Sequence, residues 1–197
     1  MFFRKKIIDN IKNGKDIDYS KLIDITRILT ENDDEAVTSI ELLVNHPEQF
    51  DYKYDEWLEE MDFSTIRHPD LITVYWLTGQ NTLFDFGAYI DWKGETEDII
   101  YWLSKSIQQK NYHLNLSEIM ISDNDFTDEV LYKINKYLKE KHFTLINWNT
   151  DSDCYHLFIV NDKDISKLKK SGNSIGVRFH SFKKEIDDSG RKIIVEK

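Results

Sequence analysis

The spacing of apolar positions divides the chain into a helical opening and a mixed remainder. Phe3, Ile7, Ile8 and Ile11 recur at helical spacing and predict a short helix that stops before Gly14. Ser20 is placed to cap a second helix through Leu22, Ile23, Ile28 and Leu29, and Asn32 with Glu35 predicts the start of a third. Ala36, Val37, Ile40, Leu43 and Val44 then keep one face until His46 and Pro47, so the two helices read as a hairpin. Tyr54, Trp57, Leu58 and Met61 continue the helical period, with Asp55, Glu56, Glu59 and Glu60 on the opposite face. Between Asp70 and Gly79 the β-branched and aromatic content argues for a strand, but a capping Asp and a terminating Gly favour a helix.

At Phe84 the period changes to two. Phe84, Phe86, Ala88, Ile90 and Trp92 alternate with Asp85, Gly87, Tyr89, Asp91 and Lys93, which predicts a strand with one apolar and one more polar face. A turn through Gly94 leads into a helix carrying Ile99, Ile100, Leu103 and Ile107, followed by an extended piece from Leu114 to Ile121. Another helix, from about Phe126 to Lys141, buries Val130, Leu131, Ile134 and Leu138. Phe143 to Asn149 and Cys154 to Val160 are β-rich runs separated by four polar residues, the pattern of an antiparallel hairpin. Asp162 is placed to cap a short helix ending at Gly172, and Ile175, Val177 and Phe179 mark a further strand. The Ile193-Ile194-Val195 patch in the charged tail reads as an edge strand or a tail.

This order predicts an α+β fold, a helical N-terminal part followed by a mixed or antiparallel sheet with helices packed on one side. Residues 1–65 read as a helical N-terminal extension or subdomain and residues 66–197 as the α+β domain; with no Pro-rich or Ser-rich linker between them, one compact unit is the expectation. No fixed-period repeat is present.

Charge changes the picture more than composition does. The 197 residues carry 36 acidic and 26 basic side chains, a net charge of −10, which disfavours a broad phosphate-binding footprint and hence nucleic acid. A single cysteine, Cys154, leaves no internal disulfide or multi-cysteine zinc site and fits a reducing compartment. No apolar run is long enough to cross a bilayer. The expectation is a cytoplasmic protein with no membrane association, in which the Asn115-Leu116-Ser117 glycosylation triplet is a coincidence.

Phosphate-cradling, dinucleotide-binding, metalloprotease and nucleophile-elbow motifs are absent, and nothing calls for a cofactor. Asp123, Asp125 and Asp128 imitate the start of a calcium loop, but the glycine and final glutamate positions hold Asp128 and Ile134; helix capping accounts for the acids. Ser166 and Lys169 have the spacing of a lysine-activated serine without any companion motif. Cys154 reads as a small buried hydrophobe at a strand start. The five tryptophans, Trp57, Trp76, Trp92, Trp102 and Trp148, read as packing residues unless exposed among acids, where they would mark a protein-binding face.

Two segments carry the remaining chemistry. Asp91, Trp92, Lys93 and Glu95 stand where a strand feeds a helix, the end at which sheets commonly present ligand sites. Asp151, Asp153 and His156 combine carboxylate and imidazole groups suited to a divalent metal or to acid–base work, although loop aspartates commonly bond their own backbone.

The run Phe86-Gly87-Ala88-Tyr89-Ile90-Asp91-Trp92-Lys93-Gly94-Glu95-Thr96-Glu97-Asp98-Ile99-Ile100 and the run Asn149-Thr150-Asp151-Ser152-Asp153-Cys154-Tyr155-His156-Leu157-Phe158 resemble a bacterial family catalogued as domain of unknown function 6630. The resemblance covers roughly residues 70–179 and implies a small α+β cytoplasmic domain with no assigned activity, so it transfers no functional residue. If the two runs meet in the fold, the Asp91 turn and the Asp151 loop form one acidic rim.

Two functions follow as expectations. The first is a non-enzymatic interaction module whose acidic, Trp-bearing surface holds a basic protein partner, as a toxin-neutralising immunity protein would. The alternative is a small metal-dependent or hydrolytic enzyme in which Asp91, Asp151, Asp153 and His156 converge on one cleft.

Overall fold

The two longest β-rich runs pair with each other at the centre of the fold. In the computed structural model, which describes residues 17–61, 65–79, 82–122, 125–186 and 192–196, Phe143–Asn149 (β2) and Cys154–Asn161 (β3) form an antiparallel hairpin from Phe143↔Asn161 to Asn147↔Leu157. Ala88–Asp91 (β1) lies antiparallel to β3, and Arg178–Ile186 (β4) antiparallel to β2. Lys192–Glu196 (β5) pairs with the second half of β4, so the tail patch is an edge strand and the described strands run in the order β1-β3-β2-β4-β5. The helix expected over Phe3 to Ile11 and the acid at Asp123 lie outside the described residues.

Helices Lys21–Leu29 (α1), Asp34–Asn45 (α2), Pro47–Lys53 (α3), Asp55–Met61 (α4) and Pro69–Leu77 (α5) precede the sheet. Thr96–Gln109 (α6), Thr127–Glu140 (α7) and Ile165–Ile175 (α8) are interleaved with it. The α+β order and the antiparallel sheet are observed, but the helices cover both faces of the sheet instead of the one face expected. Ile146, Trp148, Phe158 and Val160 pack with α1, α2, α3, α5 and α8, while their neighbours Leu145, Leu157 and Ile159 pack with α6 and α7. The reason is in β2 and β3, whose five consecutive buried residues leave neither face fit for water.

Several boundaries move for local reasons. Asp33, not Asn32, caps α2 by accepting a 2.9 Å hydrogen bond from the Ala36 amide. Ser20 stands at the start of α1 without a side-chain cap bond. The single helix expected to run through Tyr54 is two, α3 and α4, parted at that residue. β1 retains only the end of the expected Phe84–Trp92 alternation, and the extended piece after Leu114 holds a 3-10 turn at Leu116–Glu118. Helix α8 passes through Gly172, where a Cβ would stand 2.7 Å from the Phe179 ring, and stops at Gly176 with φ 85°. Gly172 is therefore a close-approach residue against β4 instead of a stop.

β2 and β4 separate beyond Ile146↔Ser181, and a side chain bridges the gap. Asn135 of α7 is buried; its Oδ1 accepts from the Leu145 amide at 2.9 Å and its Nδ2 donates to the Phe182 carbonyl at 2.8 Å. One amide thus satisfies the two backbone groups that would otherwise face each other across the split.

Candidate functional site

The turn between β1 and α6 is held by its own first residue. The Lys93 amide donates to Asp91 Oδ1 at 2.8 Å, and the Gly94 amide donates to the Asp91 carbonyl at 2.8 Å. The Trp92 amide donates to the Asp153 carbonyl at 3.2 Å, and Asp91 is the register partner of Cys154. The Asp91 turn and the loop of residues 150–153 therefore lie side by side, so the two sequence runs meet in the fold.

Beside this turn opens a groove of about 970 Å³, whose second wall is the start of α7. Thr127 Oγ1 donates to the Gly94 carbonyl at 3.4 Å and ties the walls together. Trp92 is 52% exposed and Phe126 78% exposed, so both aromatic rings spend most of their surface on solvent. Glu95, Glu97 and Asp128 add carboxylates to the lining, and the Lys93 ammonium lies 4.4 Å over the Trp92 ring. Asp125 is ion-paired with Lys133, and hydrogen bonds from Lys133 and the Ser122 amide hold its carboxyl below the usual range. Tyr101 follows Glu97 by one helical turn on α6 and packs edge-on against Trp102 at 5.0 Å, extending the exposed aromatic surface. Trp57, Trp76 and Trp148 are buried, as packing residues should be; Trp92 and Trp102 are not.

The other candidates separate. Asp151 adopts a left-handed backbone with φ 58°, and its Oδ1 accepts from Arg178 at 2.8 Å. Asp153 is exposed on the loop. His156 is fully buried beneath the opposite face of the sheet from Tyr155, and burial pushes its imidazole down to about 3. Among the described residues, no three His, Cys, Asp or Glu side chains are arranged to hold a metal ion.

His156 belongs to a different cluster. It shares one sheet face with Cys154 and, through the strand register, with Tyr89 and Asp91. Its ring lies 4.6 Å from that of Tyr75 on α5 and 5.4 Å from that of Tyr89, edge to face in both cases. Cys154 is part-buried, with its sulfur 3.6 Å from His156 Nε2 and 2.9 Å from the Ser152 hydroxyl. Burial and the Cys154 sulfur push the Tyr75 hydroxyl up to about 12; the same causes, with Asp91, raise Tyr89. Cys154 is accordingly a polar-flanked thiol, not the small buried hydrophobe expected of it.

Sequence reasoning passed over Tyr75, Tyr89, Phe126 and Arg178. The two-residue spacing of Cys154 and His156 in a strand does put them on one face, a signal that was legible. Tyr75 comes from a helix whose position over that face is a tertiary fact.

A family model described as Domain of unknown function (DUF6630) matches residues 21–182. The match begins at α1, well before the span of the two resembling runs, and takes in the early helices that those runs left out. No curated protein and no solved structure matches the chain.

Proposed function

Because the chain belongs to the family described as Domain of unknown function (DUF6630), a description that assigns no activity, we propose from its surface that it is a non-enzymatic interaction module for a basic protein. One observation carries the reading: Trp92 and Phe126 are exposed in a groove whose charged lining is mainly carboxylate. Exposed aromatic anchors surrounded by charge are the composition of a binding centre with a polar rim. The net charge of −10 adds long-range attraction for a basic partner and repulsion of acidic ones. An immunity-type role, with a basic toxin as the bound protein, is the specific form that this electrostatic match favours. The metal-dependent or hydrolytic alternative gains no support, since Asp151 is turned to Arg178 and His156 is sealed beneath Tyr75.

The test is capture of partners by the full chain from the lysate of its source cells, followed by titration of the purified pair. The expected partner is basic, its association slows as salt rises, and Trp92→Ala or the Glu95→Lys/Glu97→Lys pair weakens binding by about tenfold or more. A pair whose affinity ignores both variants and salt would remove the groove from the function.

A further inference from the structure

A second cavity lies among the early helices, away from the groove beside the Asp91 turn. It holds about 650 Å³, within the size range of small-molecule sites, and is walled by the start of α2, the α3–α4 junction, α5 and the segment before β1. Its floor is aromatic. Trp76 packs against Tyr54 at 4.5 Å, Trp57 at 4.8 Å and Phe84 at 5.7 Å between ring centres. The Trp76 indole N–H donates to Ser39 Oγ at 2.8 Å, and the Thr82 hydroxyl donates to the Trp76 carbonyl at 2.9 Å while accepting from the Phe84 amide at 3.2 Å. These bonds hold the floor in place.

The rim is acidic. Among the described residues the lining carries four carboxylates, those of Glu35, Asp55, Glu56 and Glu60, against one ammonium, that of Lys53. Glu35, Asp55 and Glu56 are exposed and form no ion pair with a described residue. Lys53 does not neutralise them; its ammonium lies 4.9 Å over the Tyr54 ring. The chain thus seats an alkylammonium of its own on this surface. Aromatic faces and unpaired carboxylates both draw a cation, and the two together disfavour any anionic ligand.

The arrangement also selects among cations. Trp57 and Phe84 each meet Trp76 edge-on, at 73° and 65°, and none of the three is more than 7% exposed. They make one continuous wall, not a cage with a ring on each side of a quaternary ammonium. Such a wall suits methylene groups, and Leu83, 81% exposed, adds apolar surface beside it. A bare metal ion would leave that wall unused, and no three carboxylates among the described residues are arranged to hold one. The carboxylates come from separate elements, Glu35 from α2 and Asp55 with Glu56 from α4, and each accepts hydrogen bonds from N–H groups. We propose that this cavity binds a linear aliphatic polyamine, with its methylenes on the Trp57-Trp76-Phe84 wall and its ammonium groups on Glu35 and on Asp55 and Glu56.

The test is calorimetric titration of the full chain with spermidine at low salt. The expected result is saturation at one site, with a dissociation constant on the order of 100 μM. The pair Glu35→Gln/Glu56→Gln changes only exposed side chains, so the fold is retained, and it should weaken binding about tenfold. Glu95→Gln/Glu97→Gln, in the other groove, should leave binding unchanged, which separates this site from the proposed protein-binding face. Lys53→Ala clears the Tyr54 ring and should tighten binding about threefold. Hexaamminecobalt(III) has the charge and the N–H donors of spermidine but no methylenes, and should bind at least about tenfold more weakly. The proposal is overturned by a parent chain that shows no one-site saturation, by binding that ignores Glu35 and Glu56, by weaker binding to Lys53→Ala, or by equal affinity for the cobalt complex, which would mark general attraction to acidic surface.

Discussion

His156 and Lys110 are bases held without room for their charge, and both place stability on the alkaline side. Burial pushes His156 to about 3 from 6.5, so between these values the unfolded chain binds more protons than the folded one. Stability falls as pH drops through that window, with a limiting slope of about 1.4 kcal/mol per pH unit. The Lys110 amine is fully buried and donates to the Ile159 carbonyl at 2.9 Å. Burial pushes it down to about 7 from 10.5, against an upward pull from Glu31. The same sign then makes stability rise from about pH 7 to about pH 10.5. Urea unfolding across pH should show both limbs; His156→Phe should flatten the acid limb and Lys110→Met the alkaline one. If either variant keeps the parent slope, its residue is not the group that titrates. At this scale Asp91 and His156 were legible in the sequence as chemistry-bearing residues, but their neighbours were not. A carboxylate's partner is chosen by which strand lies beside it, and Asp151 found Arg178 on β4.

Elements were legible where amphipathic period and length agreed, as in α6, α7 and the β2–β3 hairpin. They were misread, or a contact went unread, where a glycine or a polar residue had two uses. Gly172 has the look of a helix end but serves the contact with Phe179. Asn135 lies among the apolar positions of α7, and no local rule tells that its amide spans the split between β2 and β4. Replacing it with Leu keeps the volume and strands the Leu145 N–H and the Phe182 carbonyl. A loss of ~2–3 kcal/mol in urea unfolding is expected, with faster amide exchange at Leu145. Unchanged exchange at that amide would show that the strands close the gap by themselves.

For the whole molecule, the question is how the early helices relate to the sheet. Leu22, Ile25, Leu29 and Ile40 share an apolar cluster with Ile146, Trp148 and Phe158, and β2 and β3 present their alternate residues to the α6–α7 layer. Both layers thus rest on the same two strands, and loss of one exposes a largely apolar strand face. A single cooperative transition is expected, with coincident midpoints from tryptophan fluorescence and far-UV circular dichroism. Separate midpoints would identify the helical layer as a unit of its own.

The sequence by itself determined the α+β class, the antiparallel hairpin, the acidic balance and the family resemblance, because each depends on local period, turn chemistry or a count. Only the tertiary structure decided that helices cover both sheet faces, that the Asp91 turn adjoins the Asp151 loop, and that Trp92 faces water beside Phe126. It also decided that the buried histidine beside the one cysteine lies against two tyrosine rings. The reason is common to all four. Which face of a strand a residue occupies follows from alternation within that strand, but what lies over that face depends on the path of segments far away in the chain.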